Sequence, residues 1–308
     1  MMCVAMRFRS LVLAGAGLLL LTGCPGPPLS PNVRLTSDLV YGVGYGSEEG
    51  KTDYTLRPLR FDLLEPTDND SPDKAAVLLI HGGSFDHGTK TDEDLVAYAD
   101  ALASQGYVCF LIDYRLQGDY PPPADHWDAS LPDIVWDFLP IKDAIHAAFV
   151  DAKVAMRHIR ANAAAYGIDP DRIAAMGESA GAFAALAAGI TNATDFASDG
   201  PDFPVPAENN PAVFAAPAAI IDFWGSADFI LDSFDGGDPP IMIAHGTNDT
   251  QIGTFYLSAL NITNACEEHA IPYRLYTLWG EGHGAWEAEA NDKDLATLTL
   301  EFLEDYMP

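Results

Sequence analysis

The chain has 308 residues, 45 of them acidic against 16 lysines and arginines, for a formal charge of -29. A surface so acidic argues against nucleic acid or anionic lipid as a docking partner. Its length and 48% hydrophobic content suffice for one large α/β domain or two small ones. Its four cysteines, Cys3, Cys24, Cys109 and Cys266, are too scattered for a metal site or a disulfide framework. Cys109 falls in an apolar run, which disfavours a bridge to Cys266 on a helix.

Residues 1–23 read as a targeting segment. Arg7 and Arg9 make a basic start, and 11–21 form an apolar stretch too short to span a bilayer comfortably. The stretch ends in Leu21-Thr22-Gly23-Cys24, which resembles the lipobox of bacterial lipoproteins. That resemblance implies a lipid on Cys24. It also implies a cell-envelope protein that meets the membrane through this lipid only. Residues 24–38, with Pro25, Gly26, Pro27, Pro28 and Pro31, read as a stiff tether.

The remainder, 39–308, reads as one catalytic domain. Strands are expected at 39–45, 55–64, 75–80, 107–112, 172–176, 218–224, 240–244 and 273–278. Helices are expected over 92–104, 149–166, 180–190, 254–269 and 295–306. The unbroken apolar run 75–80 suits a strand buried on both faces. The helix at 92–104 places Leu95, Ala99 and Leu102 on one side. Residues 117–147 hold Trp127, Trp136 and Phe138 without a clean period. They follow a strand end, where ligands bind in open α/β sheets, and read as a lid or pocket wall. Strands alternating with helices predict a mostly parallel sheet covered on both faces.

Gly177-Glu178-Ser179-Ala180-Gly181 lies between an expected strand and an expected helix. A G-x-S-x-G sequence in that context describes a nucleophile elbow. Its turn is tight enough to require Gly on both sides, and it lifts the Ser179 hydroxyl above the sheet. It also puts the Ala180 N–H at a helix N-terminus, facing a developing oxyanion. His81-Gly82-Gly83-Ser84 follows the strand at 75–80 and matches an oxyanion loop of the HGGG type, with Ser84 in the place of the third glycine. Gly83, Ser84 and Ala180 are therefore the expected oxyanion donors. His81 is expected to brace the loop.

A serine nucleophile needs an imidazole to take its proton and a carboxylate to orient the imidazole. In this fold the order along the chain is Ser, acid, His. Asp249 follows one late strand, and His283, flanked by Gly282 and Gly284, follows the next. Ser179, Asp249 and His283 are the expected triad. Asp222 and Asp228 are rival acids; His245, His269 and His87 are rival bases.

These motifs, with Asp113-Tyr114-Arg115-Leu116 and Tyr166-Gly167-Ile168-Asp169-Pro170, make the chain resemble α/β-hydrolase-fold carboxylesterases of the hormone-sensitive-lipase-like and BD-FAE-like kinds. The resemblance spans roughly residues 75–305. It implies hydrolysis of a small or polymeric carboxylic ester through an acyl-enzyme, with no metal or organic cofactor. A prolyl-oligopeptidase-like peptidase and an acyltransferase would use the same triad. A non-catalytic surface-binding protein would not need one.

Overall fold

Five largely apolar runs, at 76–80, 108–112, 173–176, 219–223 and 241–244, make the centre of the sheet, where both faces are covered. The computed structural model describes residues 28–68, 71–125, 141–251 and 253–308. The leader, Cys24 and the middle of the expected 117–147 insertion lie outside the described residues.

The first two strands, β1 (Val33–Gly46) and β2 (Thr55–Pro66), pair antiparallel at one edge. Next come β3 (Lys74–Ile80), α1 (Glu93–Ser104) and β4 (Val108–Ile112). Helix α2 (Lys142–Ala161) and the short α3 (Ala163–Tyr166) lead into β5 (Ile168–Glu178). After β5 come α4 (Ala180–Ile190), β6 (Ala219–Phe223) and β7 (Ile241–Gly246). Helix α5 (Tyr256–His269), β8 (Tyr273–Leu278) and α6 (Leu295–Tyr306) close the domain. A two-stranded hairpin, β9 (Glu289–Ala290) and β10 (Lys293–Asp294), precedes α6.

The large sheet runs β1-β2-β4-β3-β5-β6-β7-β8. The two pairings made by β2 are antiparallel, and those from β4 to β8 are parallel. One face packs against α2, α4 and α5 through Leu78, Ile80, Phe149 and Leu186. The other packs against α1 and α6 through Leu79, Leu102, Met176 and Phe302. This confirms the mostly parallel sheet with helices on both sides. Cys109 and Cys266 are both buried and free.

Several boundaries differ from expectation: β5 begins at Ile168 rather than at 172, and the helix expected over 149–166 breaks at Asn162. The tether expected to run to 38 gives way to β1 at Val33, so Val33 to Asp38 are strand. The expected insertion ends sooner, because α2 begins at Lys142 rather than at 149. Its apolar period is masked: His146, Asp151, Lys153 and Arg157 are buried beside Ala and Val.

One of those buried charges, Asp151, helps to anchor the edge of the sheet. Arg115, 3% exposed, follows β4, and its guanidinium meets Asp151 of α2 at 2.7 Å and Asp199 at 2.8 Å. It also donates to the Tyr45 carbonyl at 2.9 Å, which ties β1 to α2. Removing one partner of such a cluster strands the other charges in an apolar setting. Arg115→Met is therefore expected to destabilise the fold by about 3–5 kcal/mol, read by urea denaturation. Wild-type stability in that variant would show that the cluster contributes nothing.

Candidate active site

The strands β3, β4, β5, β6, β7 and β8 all end on the same edge of the sheet. Ile80 pairs with Ile112 and Gly177, Glu178 with Phe223, and Gly246 with Leu278. The loops that leave these ends therefore converge.

Ser179 sits between β5 and α4 at φ 52°, ψ -122°, in the left-handed region that a non-glycine residue seldom occupies. The two glycines of the elbow are needed for close approach. A Cβ on Gly177 would stand 2.1 Å from the Gly181 carbonyl oxygen, and one on Gly181 would stand 2.0 Å from that of Ile80. Ala180 is the first residue of α4, so its N–H has no partner within the helix.

Asp249 and His283 are 34 positions apart, and a seam of hydrogen bonds joins their loops. The Thr247 N–H donates to the Leu278 carbonyl at 3.1 Å and the Asn248 N–H to that of Glu281 at 2.8 Å. The Asn248 side chain donates to Gly280 at 2.9 Å, and the Gly280 N–H returns a bond to Thr247 Oγ1 at 2.9 Å. With the loops held in this way, Asp249 Oδ2 lies 2.8 Å from His283 Nδ1, and His283 Nε2 lies 2.8 Å from Ser179 Oγ. The carboxylate can only accept, so Nδ1 carries the proton. Nε2 then presents a bare lone pair to the hydroxyl.

Asp249 is 5% exposed and uses both oxygens. Its Oδ1 accepts from the Gln251 N–H at 2.9 Å, and its Oδ2 accepts from His283 and from His245 Nε2 at 3.1 Å. Burial works against its charge, but these donors outweigh it and hold the carboxyl well below the usual carboxylate range.

The rivals have other tasks. Asp222 is fully buried and accepts from the Gly225 N–H at 2.9 Å, and burial pushes its carboxyl up to about 6. Asp228 accepts from Ser258 and Asn261. His87 pairs with Asp86 at the surface, and His269 ends α5. His245 is buried against Asp249 rather than placed at Ser179.

The oxyanion loop is fixed by its first glycine, Gly82. His81 Nδ1 donates to the Gly82 carbonyl at 2.7 Å, and the Tyr114 hydroxyl donates to it at 3.2 Å. His81 also stacks on the Tyr114 ring, with centroids 4.4 Å apart, and thus braces the loop as expected. The Gly82 N–H donates to Glu178 Oε1, while Glu178 Oε2 accepts from the Trp224 indole at 3.1 Å. Gly83 then turns at φ 106°, followed by Ser84 at 54° and Phe85 at 62°. Ser84 and Ala180 line the pocket beside Ser179, and Gly83 is not among the described residues that do.

Sequence reasoning missed Glu178, Trp224 and Thr254. Trp224 has φ 40°, costly for so bulky a residue, and its ring stands edge-on to His283 with centroids 6.4 Å apart. Burial raises the Glu178 carboxyl above the usual range against the donors that oppose it. Thr254 Oγ1 lies 3.2 Å from His283 Nδ1. Of these, Glu178 alone carried a signal, as an acidic residue inside the elbow.

The pocket at Ser179 is small, about 20 Å³, and is walled by the rings of Phe85, Phe183 and Phe229. A roomier cavity of about 390 Å³, lined by His146, Asp195, Phe196 and Ser233, also has Phe229 in its wall. Among the described residues no cluster of His, Cys, Asp or Glu could hold a metal ion.

The BD-FAE family model matches residues 61–131 and 139–237. The carboxylesterase NlhH of Mycobacterium tuberculosis is 31% identical over 159 residues, which are 50% of this chain and 37% of that protein. The esterase LipC of the same species is 32% identical over 124 residues, 40% of this chain and 25% of its own length. The chain thus spans well under half the length of these curated relatives. Among solved structures, the propionate-bound esterase Est2 of the Planctomycetes species Thermogutta terrifontis superposes with a TM-score of 0.63 at 20% identity. The match covers 90% of this chain and 94% of that one. A truncated carbohydrate esterase from gut microbiota gives 0.60 at 18% identity, covering 92% and 99%. These likenesses establish an α/β-hydrolase fold.

Proposed function

Since the chain belongs to the BD-FAE family, we propose that it is a serine hydrolase cleaving carboxylic esters through an acyl-enzyme. The observation that carries this reading is the unbroken path Ser179 Oγ, His283 Nε2, His283 Nδ1, Asp249 Oδ2, with both hydrogen bonds at 2.8 Å.

Ser179 Oγ attacks the ester carbonyl while His283 Nε2 takes its proton. Asp249 stabilises the imidazolium that forms. The N–H groups of Ala180 and of the 83–84 loop receive the oxyanion, each donor worth about 3 kcal/mol of barrier. His283 then protonates the leaving alkoxide. A water, deprotonated by the same Nε2, releases the acid and restores Ser179. The scheme takes all its protons from Ser179, water and His283, and asks for no cofactor.

A pocket of about 20 Å³ has space for little more than one water-sized group, which favours short acyl chains. Anchoring through Cys24 at the cell envelope is part of the same proposal, supported by its lipobox-like motif.

The test is a panel of p-nitrophenyl esters from acetyl to dodecanoyl, with a fluorophosphonate probe and peptide mapping. The expected result is turnover at least about tenfold higher on acetyl than on dodecanoyl esters. One probe is expected on Ser179, and labelling is expected to end turnover. Intact mass reads the lipid on Cys24 in the same sample. Turnover that persists in fully labelled protein would overturn the reading.

A further inference from the structure

His245 is fully buried, and the scheme above does not use it. It is the penultimate residue of β7, four residues before Asp249. Its Nε2 lies 2.7 Å from the Thr254 carbonyl oxygen and 3.1 Å from Asp249 Oδ2. A backbone carbonyl can only accept, so Nε2 carries the hydrogen and shares it between the two oxygens.

Both of those contacts lead to His283. Asp249 Oδ2 is the oxygen that accepts from His283 Nδ1 at 2.8 Å. Thr254, whose carbonyl His245 holds, places its own Oγ1 3.2 Å from the same Nδ1. One buried N–H therefore touches each of the two residues that meet the proton-bearing nitrogen of His283. The other ring nitrogen, Nδ1 of His245, has no hydrogen-bond partner among the described residues. The side chain thus makes its polar contacts on the Asp249 side.

Accepting the triad reading on which it rests, we infer that His245 is a positioning residue for the base: its Nε2–H fixes the Asp249 carboxylate and the Thr254 backbone together, and so sets the direction of His283 Nδ1. Without that donor the carboxylate keeps its bonds from Gln251 and His283 but loses the one that fixes Oδ2 from β7. Thr254 then loses its tie to β7.

The groups that face His245 decide the sign of the pH effect. Asp249 and His283 lie on one side. Asp222 of β6 pairs with Ile243, two residues before His245, so it lies on the same face of the sheet. Its Oδ2 also lacks a hydrogen-bond partner among the described residues. The Tyr256 ring of α5 is 6.1 Å away. Asp249 is the one of these that accepts the Nε2–H. Removing the donor leaves more negative potential on the oxygen facing His283, and this favours the protonated imidazole. Activity should then be lost at a higher pH as the solution is acidified.

Two variants in the full chain separate positioning from bulk. In His245→Gln the side-chain amide reaches the place of Nε2 and keeps a donor. In His245→Asn it stops at the place of Nδ1. With p-nitrophenyl acetate from about pH 5 to about pH 8, H245N is expected to lose about tenfold to a hundredfold in kcat with KM unchanged. The acid limb of its profile should move to higher pH. H245Q is expected to stay within about threefold of wild type. Equal activity and equal profiles in all three proteins would overturn the inference. So would equal losses in both variants with the profile unmoved. Should H245N fail to fold, H245Q against wild type carries the test through the low-field proton resonance of His283 Nδ1–H. That resonance is expected to shift, because a donor to the shared oxygen has changed, and an unmoved resonance overturns the inference. If wild type itself shows no Ser179-dependent turnover, the triad reading fails instead, and the panel above reports that separately.

Discussion

Ser179→Ala is expected to lower kcat on p-nitrophenyl acetate by about 10⁵–10⁶-fold, with an unchanged melting temperature. The two expectations come from different parts of the structure. The elbow backbone is held from outside the side chain: the Ser179 N–H donates to the Phe223 carbonyl at 2.9 Å, and Gly177 and Gly181 allow the close packing. An alanine at φ 52° meets the same strain as the serine, so the fold has no reason to change. The hydroxyl's bond is to His283, and that bond is the chemical step itself. What survives is the oxyanion hole, which leaves a residual catalysis of about 10³-fold over water. Measured turnover within about tenfold of wild type would move the nucleophile elsewhere.

Asp249→Asn is the second large effect, with kcat expected to fall by about 10⁴-fold. The carboxylate accepts on both oxygens, from Gln251 on Oδ1 and from His245 and His283 on Oδ2. An amide has one accepting oxygen, so in either orientation its NH₂ faces at least one N–H. If the NH₂ faces His283, the ring is driven to the tautomer with hydrogen on Nε2, which cannot take the Ser179 proton. If it faces Gln251, the loop from 249 to 254 that bears Thr254 must shift. Both routes cost kcat more than KM, and steady-state kinetics distinguishes them from a loss of binding. A kcat within about tenfold of wild type would show that the carboxylate is dispensable. Its donors hold the Asp249 carboxyl well below the usual carboxylate range, so Asp249 stays ionised far below neutral pH.

The fold was legible where burial is uniform. Strands such as 75–80 are apolar at every position because both faces are covered, and the structure keeps them almost residue for residue. Helix α2 was under-read because the cluster around Arg115 and the buried Lys153 place charges inside the core, which breaks the helical period. Lys153 donates to the carbonyls of Asn192 and Asp195, each at 2.7 Å, contacts of high sequence separation that no local pattern announces. The triad was legible because glycines punctuate the loops that bear it. Trp224 was not, since a tryptophan ending an apolar strand looks like core until its backbone is seen at φ 40°. His245 looked like a rival base because chemistry alone does not say which way a buried imidazole points.

The base of the triad follows β8, and β8 is the last strand at its edge of the sheet. All but one of its residues are only half-buried, whereas β7 beside it is buried throughout. Edge strands of this kind open at a lower free energy than the core they border. A brief local opening there would carry His283 away from Ser179 while the elbow and the oxyanion loop, mounted on β5 and β3, keep their shape. The proposed activity is therefore expected to gauge this protein's integrity more sensitively than its helix content. Under mild denaturant, ester turnover is expected to fall before helix content does.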